Sequence, residues 1–373
     1  MHCATTPESL TLGWDDGARA EFPGVWLRDN EPGDREAHSG QRLTDVADLP
    51  PAPRLAAARL VAGRVHVTWE GGRTAEFDAG WLLRHAPGSV APGPQVQPWL
   101  EGAALDARRD FAWLPVAELH ASPAARLAWL TRLGTDGLAF LRQVPSTDRA
   151  ILAAVADFGL VLDTNYGRVF DVRSIPNPEN LAYSDRGLGL HTDNPYRDPV
   201  PGFQVLHCLV ASPDGGDSAF ADGFALATFL EREDPSAFAL LSETPVPFHY
   251  RSRDAELYSE KPLIQLASDG RLRAVHYNSR SIAPLRLAAG RLPGFYAAYR
   301  RFAALLREPR FQLKTRLADG DLVVFDNRRI LHGRSPFSSD RHPRHLQGCY
   351  LARDSVLSAA AVLRRRLAPE GAT

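Results

Sequence analysis

The chain has 373 residues, with 43 basic and 44 acidic side chains, a formal charge of -1 and a pI near 6.9. That balance excludes a nucleic-acid binder working by bulk basicity, and 44% hydrophobic with 23% charged residues excludes a disordered chain. No apolar run approaches the roughly 18 residues that cross a bilayer, the opening MHCATTPESLTLGWDDG has no secretory pattern, and Cys3, Cys208 and Cys349 are too widely spaced for a zinc knuckle or a disulfide framework, so a cytoplasmic protein without membrane contact is expected.

In chain order, SLTLGW, RAEFPGVWL, RLVAGRVHVTWEGG and RTAEFDAGWLL read as strands, with turns at Asp15-Asp16-Gly17 and Gly71-Gly72. They predict a small β-rich N-terminal domain over residues 1–90. The proline- and glycine-rich stretch 85–102 reads as a linker or long surface loop. A second domain over 100–373 mixes helices and strands. Apolar spacing predicts helices at 122–134, 149–159, 223–243, 294–308 and 354–367. GFQVLHCLVA (202–211) is a nearly continuous apolar run short enough for a buried strand, and DLVVFDNRRILHGR (321–334) opens as another. Neither an internal repeat nor a low-complexity tract is evident.

His191 and Asp193 sit two apart in GLHTDNPY, and His332 lies far downstream in ILHGRSPF. Side chains at i and i+2 of an extended segment share a face. The pair can therefore bring an imidazole and a carboxylate to one ion, and a distant histidine completes a facial set of three. Two histidines and one carboxylate with open positions form the ligand set of non-haem Fe(II) oxygenases. The same donors suit Zn²⁺, so the ligands alone leave the metal open. With twelve histidines in the chain, one H-x-D pair arises easily by chance, so its neighbours carry the weight.

Arg344, twelve residues after His332, shares a barrel interior with it if the two strands form an antiparallel hairpin. An arginine there grips the far carboxylate of a dicarboxylate co-substrate in a bidentate pair; otherwise it is one surface ion pair among many. In GGDSAF (215–220), Ser218 either donates its hydroxyl to the same carboxylate or belongs to a plain turn.

The segments HTDNPY, PGFQVLHC, GGDSAFADGF, VFDNRRILHGR and RHLQGCYLARD, in that order, resemble the γ-butyrobetaine and trimethyllysine hydroxylase branch of the taurine dioxygenase-type 2-oxoglutarate oxygenases. The resemblance runs from about Leu10 to Leu367. It implies an α+β fold: a double-stranded β-helix (jelly-roll) core, flanking helices and a small N-terminal β domain. It also implies Fe(II) on His191, Asp193 and His332, with 2-oxoglutarate and O2 as co-substrates. The far carboxylate of 2-oxoglutarate would lie on Arg344, aided by Ser218 and the backbone near Leu206. Tyr166, Phe170, Tyr183 and Tyr350 match an aromatic cage for a trimethylammonium group, which cannot donate hydrogen bonds and is served by ring faces. Phe170 stands where the branch usually shows tryptophan, a better cation-π partner. Each of these rings would otherwise read as ordinary core packing.

Asn180 matches a group that holds the substrate's anionic end. Asn194 replaces a tyrosine after H-T-D, and Ser279 with Arg280 departs from an asparagine pair. Arg280 would suit a phosphonate, which offers more charge and acceptors than a carboxylate; the alternative is a structural ion pair. A related group of bacterial enzymes hydroxylates 2-trimethylaminoethylphosphonate, so the resemblance favours that substrate, with γ-butyrobetaine close behind. A non-catalytic quaternary-amine binding protein is disfavoured, because a sensor needs neither three metal ligands nor a co-substrate arginine. An oxygenase of a sulfonate or amino acid is disfavoured by the cage. The expected partner is a small zwitterion, with no nucleic acid or membrane; relatives are often homodimers. Many members follow WLRDN (26–30) with a zinc-binding cysteine cluster, but here Glu31, Gly33 and Glu36 stand in those places and only His85 remains, so no structural zinc is expected.

Overall fold

A computed structural model describes residues 1–89, 96–99, 105–173, 187–336 and 344–368. The chain divides into two compact units, Met1–Gly93 and Pro94–Thr373.

The first unit holds β1 (His2–Thr5), β2 (Ser9–Gly13), β3 (Arg19–Pro23), β4 (Leu55–Val61), β5 (Arg64–Trp69) and β6 (Thr74–Asp78). They form two antiparallel three-stranded sheets, β1-β2-β3 and β4-β5-β6. RAEFPGVWL and RTAEFDAGWLL are not single strands. Each turns after its phenylalanine into a six-residue helix, Gly24–Asp29 or Ala79–Arg84, the second capped by Asp78, whose carboxylate accepts from the Trp81 N–H.

An internal repeat is present after all. Residues 10–28 align with 65–83 at a constant offset of 55, matching Trp14 with Trp69, Gly17 with Gly72, Ala20 with Ala75, Glu21 with Glu76, Phe22 with Phe77, Trp26 with Trp81 and Leu27 with Leu82. Gly17 and Gly72 adopt φ of 87° and 88°, a region that favours glycine. Phe22, Phe77, Leu27 and Leu82 are fully buried in one core. Where cysteines were absent, carboxylates take arginines: Glu31 is buried against Arg73 (2.7 Å) and Arg28 (3.4 Å), and Asp34 pairs with both. Glu36 accepts from the Ser39 N–H at 2.6 Å. His85 stacks on Trp81 at 4.3 Å.

The second unit contains β7 (Ala112–Pro115), β8 (Leu138–Arg142), β9 (Phe170–Val172), β10 (Leu188–His191), β11 (Phe203–Val210), β12 (Ser218–Asp222), β13 (Val246–Arg251), β14 (Glu256–Lys261), β15 (Ile264–Leu266), β16 (Leu272–Val275), β17 (Leu313–Thr315), β18 (Leu322–Asp326), β19 (Ile330–Arg334) and β20 (His345–Leu351). One sheet runs β7-β8-β18-β11-β20-β9, and a second runs β10-β19-β12-β17; all their pairs are antiparallel except β7-β8. The run 202–211 is mostly apolar, with Gln204 and His207 buried in it, because β11 is central and covered on both faces. Phe203 and Val205 pack under the helices Pro123–Asp136, Ala150–Val155 and Arg353–Leu367. Leu206 and Cys208 face the other way, into a cluster that also holds Phe220 of β12 and Ile330 of β19. The two sheets therefore bury a common core, with Phe220 and Phe325 in edge contact at 5.6 Å.

The helix Pro123–Asp136 starts at Ser122, whose hydroxyl accepts from the Ala125 N–H, and ends at Gly137 with φ 76°. Part of the expected linker is ordered core: Trp99 is buried, its indole donating to the Asp136 carbonyl at 2.8 Å. No helix among the described residues is long and apolar enough to cross a membrane.

Candidate metal centre

His191 closes β10 and His332 lies mid-strand in β19, and the two are direct cross-strand partners. Their rings sit 4.3 Å apart. Asp193 is not on the strand with His191, as the i, i+2 argument required. The strand ends at His191, and Asp193 lies in a bend followed by Asn194 at φ 55°. Asparagine is among the few non-glycine residues that tolerate that conformation. The bend is fastened by Asn327, which is fully buried. Its amide oxygen accepts from the Asp193 N–H at 2.7 Å, and its nitrogen donates to the carbonyls of Asp193 (3.0 Å) and Pro201 (3.2 Å).

The result is a convergent donor set. Asp193 Oδ1 lies 3.2 Å from His191 Nε2, and Oδ2 lies 3.9 Å from His332 Nε2. One ligand atom from each residue falls within 4.8 Å of the others, and no second group of this kind occurs among the described residues. His191 Nδ1 stands 2.8 Å from the Gly189 carbonyl. A carbonyl only accepts, so Nδ1 carries the proton and Nε2 presents its lone pair. Burial, with His191 beside it, holds the His332 imidazole down to about 3, so it is neutral at pH 7. Burial pushes the Asp193 carboxyl up, but the two imidazoles and the Tyr350 hydroxyl outweigh it, and it stays below the ordinary carboxylate range. A neutral His332 imidazole, an anionic Asp193 carboxylate and a His191 ring whose Nδ1 is committed to a carbonyl suit a divalent metal. The residues fit a facial Fe(II) site.

Arg344 and Ser218 are both buried. The hairpin expectation fails, because β19 and β20 follow one another in sequence but belong to different sheets. Leu206 faces the shared core from β11. Arg334, which sequence reasoning missed, is also buried, and it pairs in register with Ser218. Its signal was the i, i+2 spacing from His332.

Tyr166, Phe170 and Tyr350 do come together: Phe170 lies 6.3 Å from Tyr166 and 5.2 Å from Tyr350. The rings continue through two residues that sequence reasoning missed. Tyr250 lies 6.0 Å from Tyr166, and Tyr196 stacks on Tyr250 at 5.0 Å. The Tyr196 hydroxyl donates to Asn194 Oδ1 at 2.6 Å and lies 3.1 Å from the Tyr166 hydroxyl. Tyr350 reaches the metal set, donating to Asp193 Oδ2 at 2.8 Å. Burial and the adjacent carboxylate push its phenol well above the ordinary value, so it remains a donor. Arg280 lies in the field of Asp193, Tyr196 and Tyr166, whereas Ser279 sits against Tyr299. Asn180 and Tyr183 lie outside the described residues.

Comparison with known proteins agrees with this chemistry. The taurine catabolism dioxygenase TauD, TfdA family matches residues 106–350. The chain is 37% identical to a γ-butyrobetaine dioxygenase of Pseudomonas sp. (strain AK-1), over 97% of this chain and 95% of that one. It is 28% identical to the human γ-butyrobetaine dioxygenase (96% and 95% covered) and 27% identical to the mitochondrial trimethyllysine dioxygenase of Gallus gallus (96% and 90% covered). A convergent His-Asp-His set inside the matched region, and similarity along nearly the whole chain, place it in the TauD/TfdA family, in the γ-butyrobetaine and trimethyllysine branch, as an Fe(II)- and 2-oxoglutarate-dependent dioxygenase.

Proposed function

We propose that the enzyme hydroxylates γ-butyrobetaine, a trimethylammonium carboxylate, and that its two facing sheets form the double-stranded β-helix expected of the branch. The observation that carries the substrate reading is the run of rings Tyr166, Phe170 and Tyr350, which ends on a hydroxyl bonded to the metal ligand Asp193. A quaternary cation held by those faces would lie beside Asp193, one of the residues that would hold the metal. Each face contributes about 0.5–2 kcal/mol, more as water is excluded.

Iron, 2-oxoglutarate and O2 together would supply the oxidant that replaces a substrate hydrogen by hydroxyl, one atom of O2 ending in that hydroxyl and the other in the succinate formed with CO2. The chain supplies the holding groups. Arg344 grips the far carboxylate of 2-oxoglutarate, with Ser218 donating a hydroxyl beside it. Arg280 and Asn194 take the substrate's anionic end: the Asn194 amide nitrogen is buried with no partner among the described residues, and its oxygen is occupied by Tyr196. In the same reading Asn180 joins the groups at the anionic end and Tyr183 joins the rings around the cation. Held at both ends, the zwitterion presents one carbon to the metal instead of tumbling.

The sequence-based preference for a phosphonate gives way here. It rested on Arg280, and a guanidinium pairs with a carboxylate as readily as with a phosphonate. The similarity to γ-butyrobetaine dioxygenases supports the carboxylate. The test is substrate-coupled 2-oxoglutarate consumption with γ-butyrobetaine, trimethyllysine and 2-trimethylaminoethylphosphonate side by side. The highest kcat/KM is expected for γ-butyrobetaine; a higher value for either of the others refutes the reading.

A further inference from the structure

Tyr350 stands at the junction of two sites. Its ring is 5.2 Å from Phe170, and its hydroxyl donates to Asp193 Oδ2 at 2.8 Å. The side chain comes from β20, and Asp193 from the bend after β10, 157 residues earlier. A carboxylate on a loop bend can rotate, and it can offer a metal one oxygen or two. With Oδ2 committed to a phenol O–H, rotation is arrested and Oδ1, 3.2 Å from His191 Nε2, keeps its lone pairs for the ion. We propose that Tyr350 is a positioning residue for the metal ligand Asp193, fixing the carboxylate for one-oxygen ligation, in addition to forming a wall of the cation site.

The positioning role rests on the hydrogen bond alone; the wall role rests on the substrate reading above. Together they make one side chain the link between cation and metal. A ring displaced by a badly fitting substrate would carry its hydroxyl away from Asp193 and loosen the metal ligand. A cation seated on the ring leaves that bond in place. Substrate fit and metal geometry would thus be coupled through one phenol.

Tyr350→Phe separates the two roles, because it removes one oxygen and keeps the ring. The probe is Mn(II), titrated into the metal-free full-length protein by competition with a fluorescent chelator, with γ-butyrobetaine KM measured separately at saturating Fe(II). Loss of an outer-shell partner typically costs about 10–100-fold in metal affinity. Tyr350→Phe is therefore expected to weaken Mn(II) by about tenfold or more while KM stays near the unmodified value. Phe170→Leu is expected to do the reverse, raising KM with Mn(II) affinity unchanged.

An Mn(II) affinity in Tyr350→Phe within threefold of the unmodified protein overturns the proposal, whether or not thermal stability falls, since a merely structural role moves stability alone. If Mn(II) weakens but Phe170→Leu leaves KM unchanged, the positioning role stands and the cage reading fails. Should Tyr350→Phe not fold, a crystal structure of the unmodified Mn(II) form decides: a Tyr350 hydroxyl beyond hydrogen-bond distance of both Asp193 oxygens overturns the proposal.

Discussion

Replacing Asn327 by alanine should damage both the fold and the metal site, and its size follows from three contacts. The side chain is fully buried; it accepts from the Asp193 N–H at 2.7 Å and donates to the Asp193 and Pro201 carbonyls at 3.0 and 3.2 Å. Alanine removes all three. A net hydrogen bond contributes about 0.5–1.5 kcal/mol, and a buried donor left without a partner costs about 1–3 kcal/mol. Two of the three bonds hold the backbone of one residue, Asp193, so they do not add freely. A loss of about 3 kcal/mol is expected in denaturant unfolding of the metal-free protein, or a fall in Tm of about 5–10 °C for a unit of this size. Because the freed peptide carries Asp193, Mn(II) affinity should fall as well, by about tenfold or more. Asn327→Asp keeps the acceptor for the Asp193 N–H but turns a carboxylate toward two carbonyl oxygens. Its carboxyl pKa is therefore raised in the folded state, so that variant should regain stability as pH falls toward 5, while Asn327→Ala should not. A loss under 1 kcal/mol in Asn327→Ala, together with unchanged Mn(II) binding, would show that the bend holds itself and refute this reasoning.

Three further outcomes can be checked. A Cβ at Gly348 would stand 2.4 and 2.5 Å from Phe170 ring atoms, so Gly348→Ala should push that ring aside and raise γ-butyrobetaine KM by roughly five- to tenfold, the worth of about one cation-π contact, with Mn(II) affinity unchanged; steady-state kinetics beside the metal titration decides. Arg329 is buried and bonded to both Asp222 oxygens at 3.0 and 2.7 Å, so Arg329→Met strands a buried carboxylate and should cost about 3–5 kcal/mol in urea unfolding, partly recovered by adding Asp222→Asn. Burial, with Lys261 and Arg328 nearby, holds His276 down to about 3. The unfolded chain takes up that proton below about 6.5 and the native state does not, so stability falls as pH drops from about 6.5 toward 3, by up to about 1.4 kcal/mol per unit, and His276→Gln should flatten that slope.

How much of the site was legible depends on whether a residue's job is set by its own neighbours. His191, Asp193 and His332 were legible because metal ligation restricts residue type severely, two of the three lie two positions apart, and the surrounding segments matched a family that uses such a set. Tyr166, Phe170 and Tyr350 were legible only through family resemblance, since a lone tyrosine has the composition of any core residue. The strand boundaries were misread for a physical reason. GVWL and GWLL are short and bulky, like strand segments, and their helices are set by the turn at Pro23 and the Asp78 cap more than by apolar periodicity. The 55-residue repeat, by contrast, was written openly in W-x-x-G-x-x-A-E-F-x-x-x-W-L.

Asn327 shows the deeper limit. In VFDNRRILHGR it reads as a turn residue between two strands, and it is one: β18 ends at Asp326 and β19 begins at Ile330. Nothing local announces that its amide closes on a peptide 134 residues earlier. Yet the arrangement has a logic that sequence separation hides. β19 carries His332, and the turn leading into β19 clamps the backbone of Asp193. β10 carries His191 directly across from His332. The three ligands are thus fixed by one strand pair and its entering turn, with Tyr350 from the opposite sheet closing the fourth side. A ligand set built this way holds its spacing before any ion arrives, so the metal need not organise the site. Its affinity should then respond to Asn327 and Tyr350, which touch no metal, almost as strongly as to the ligands themselves.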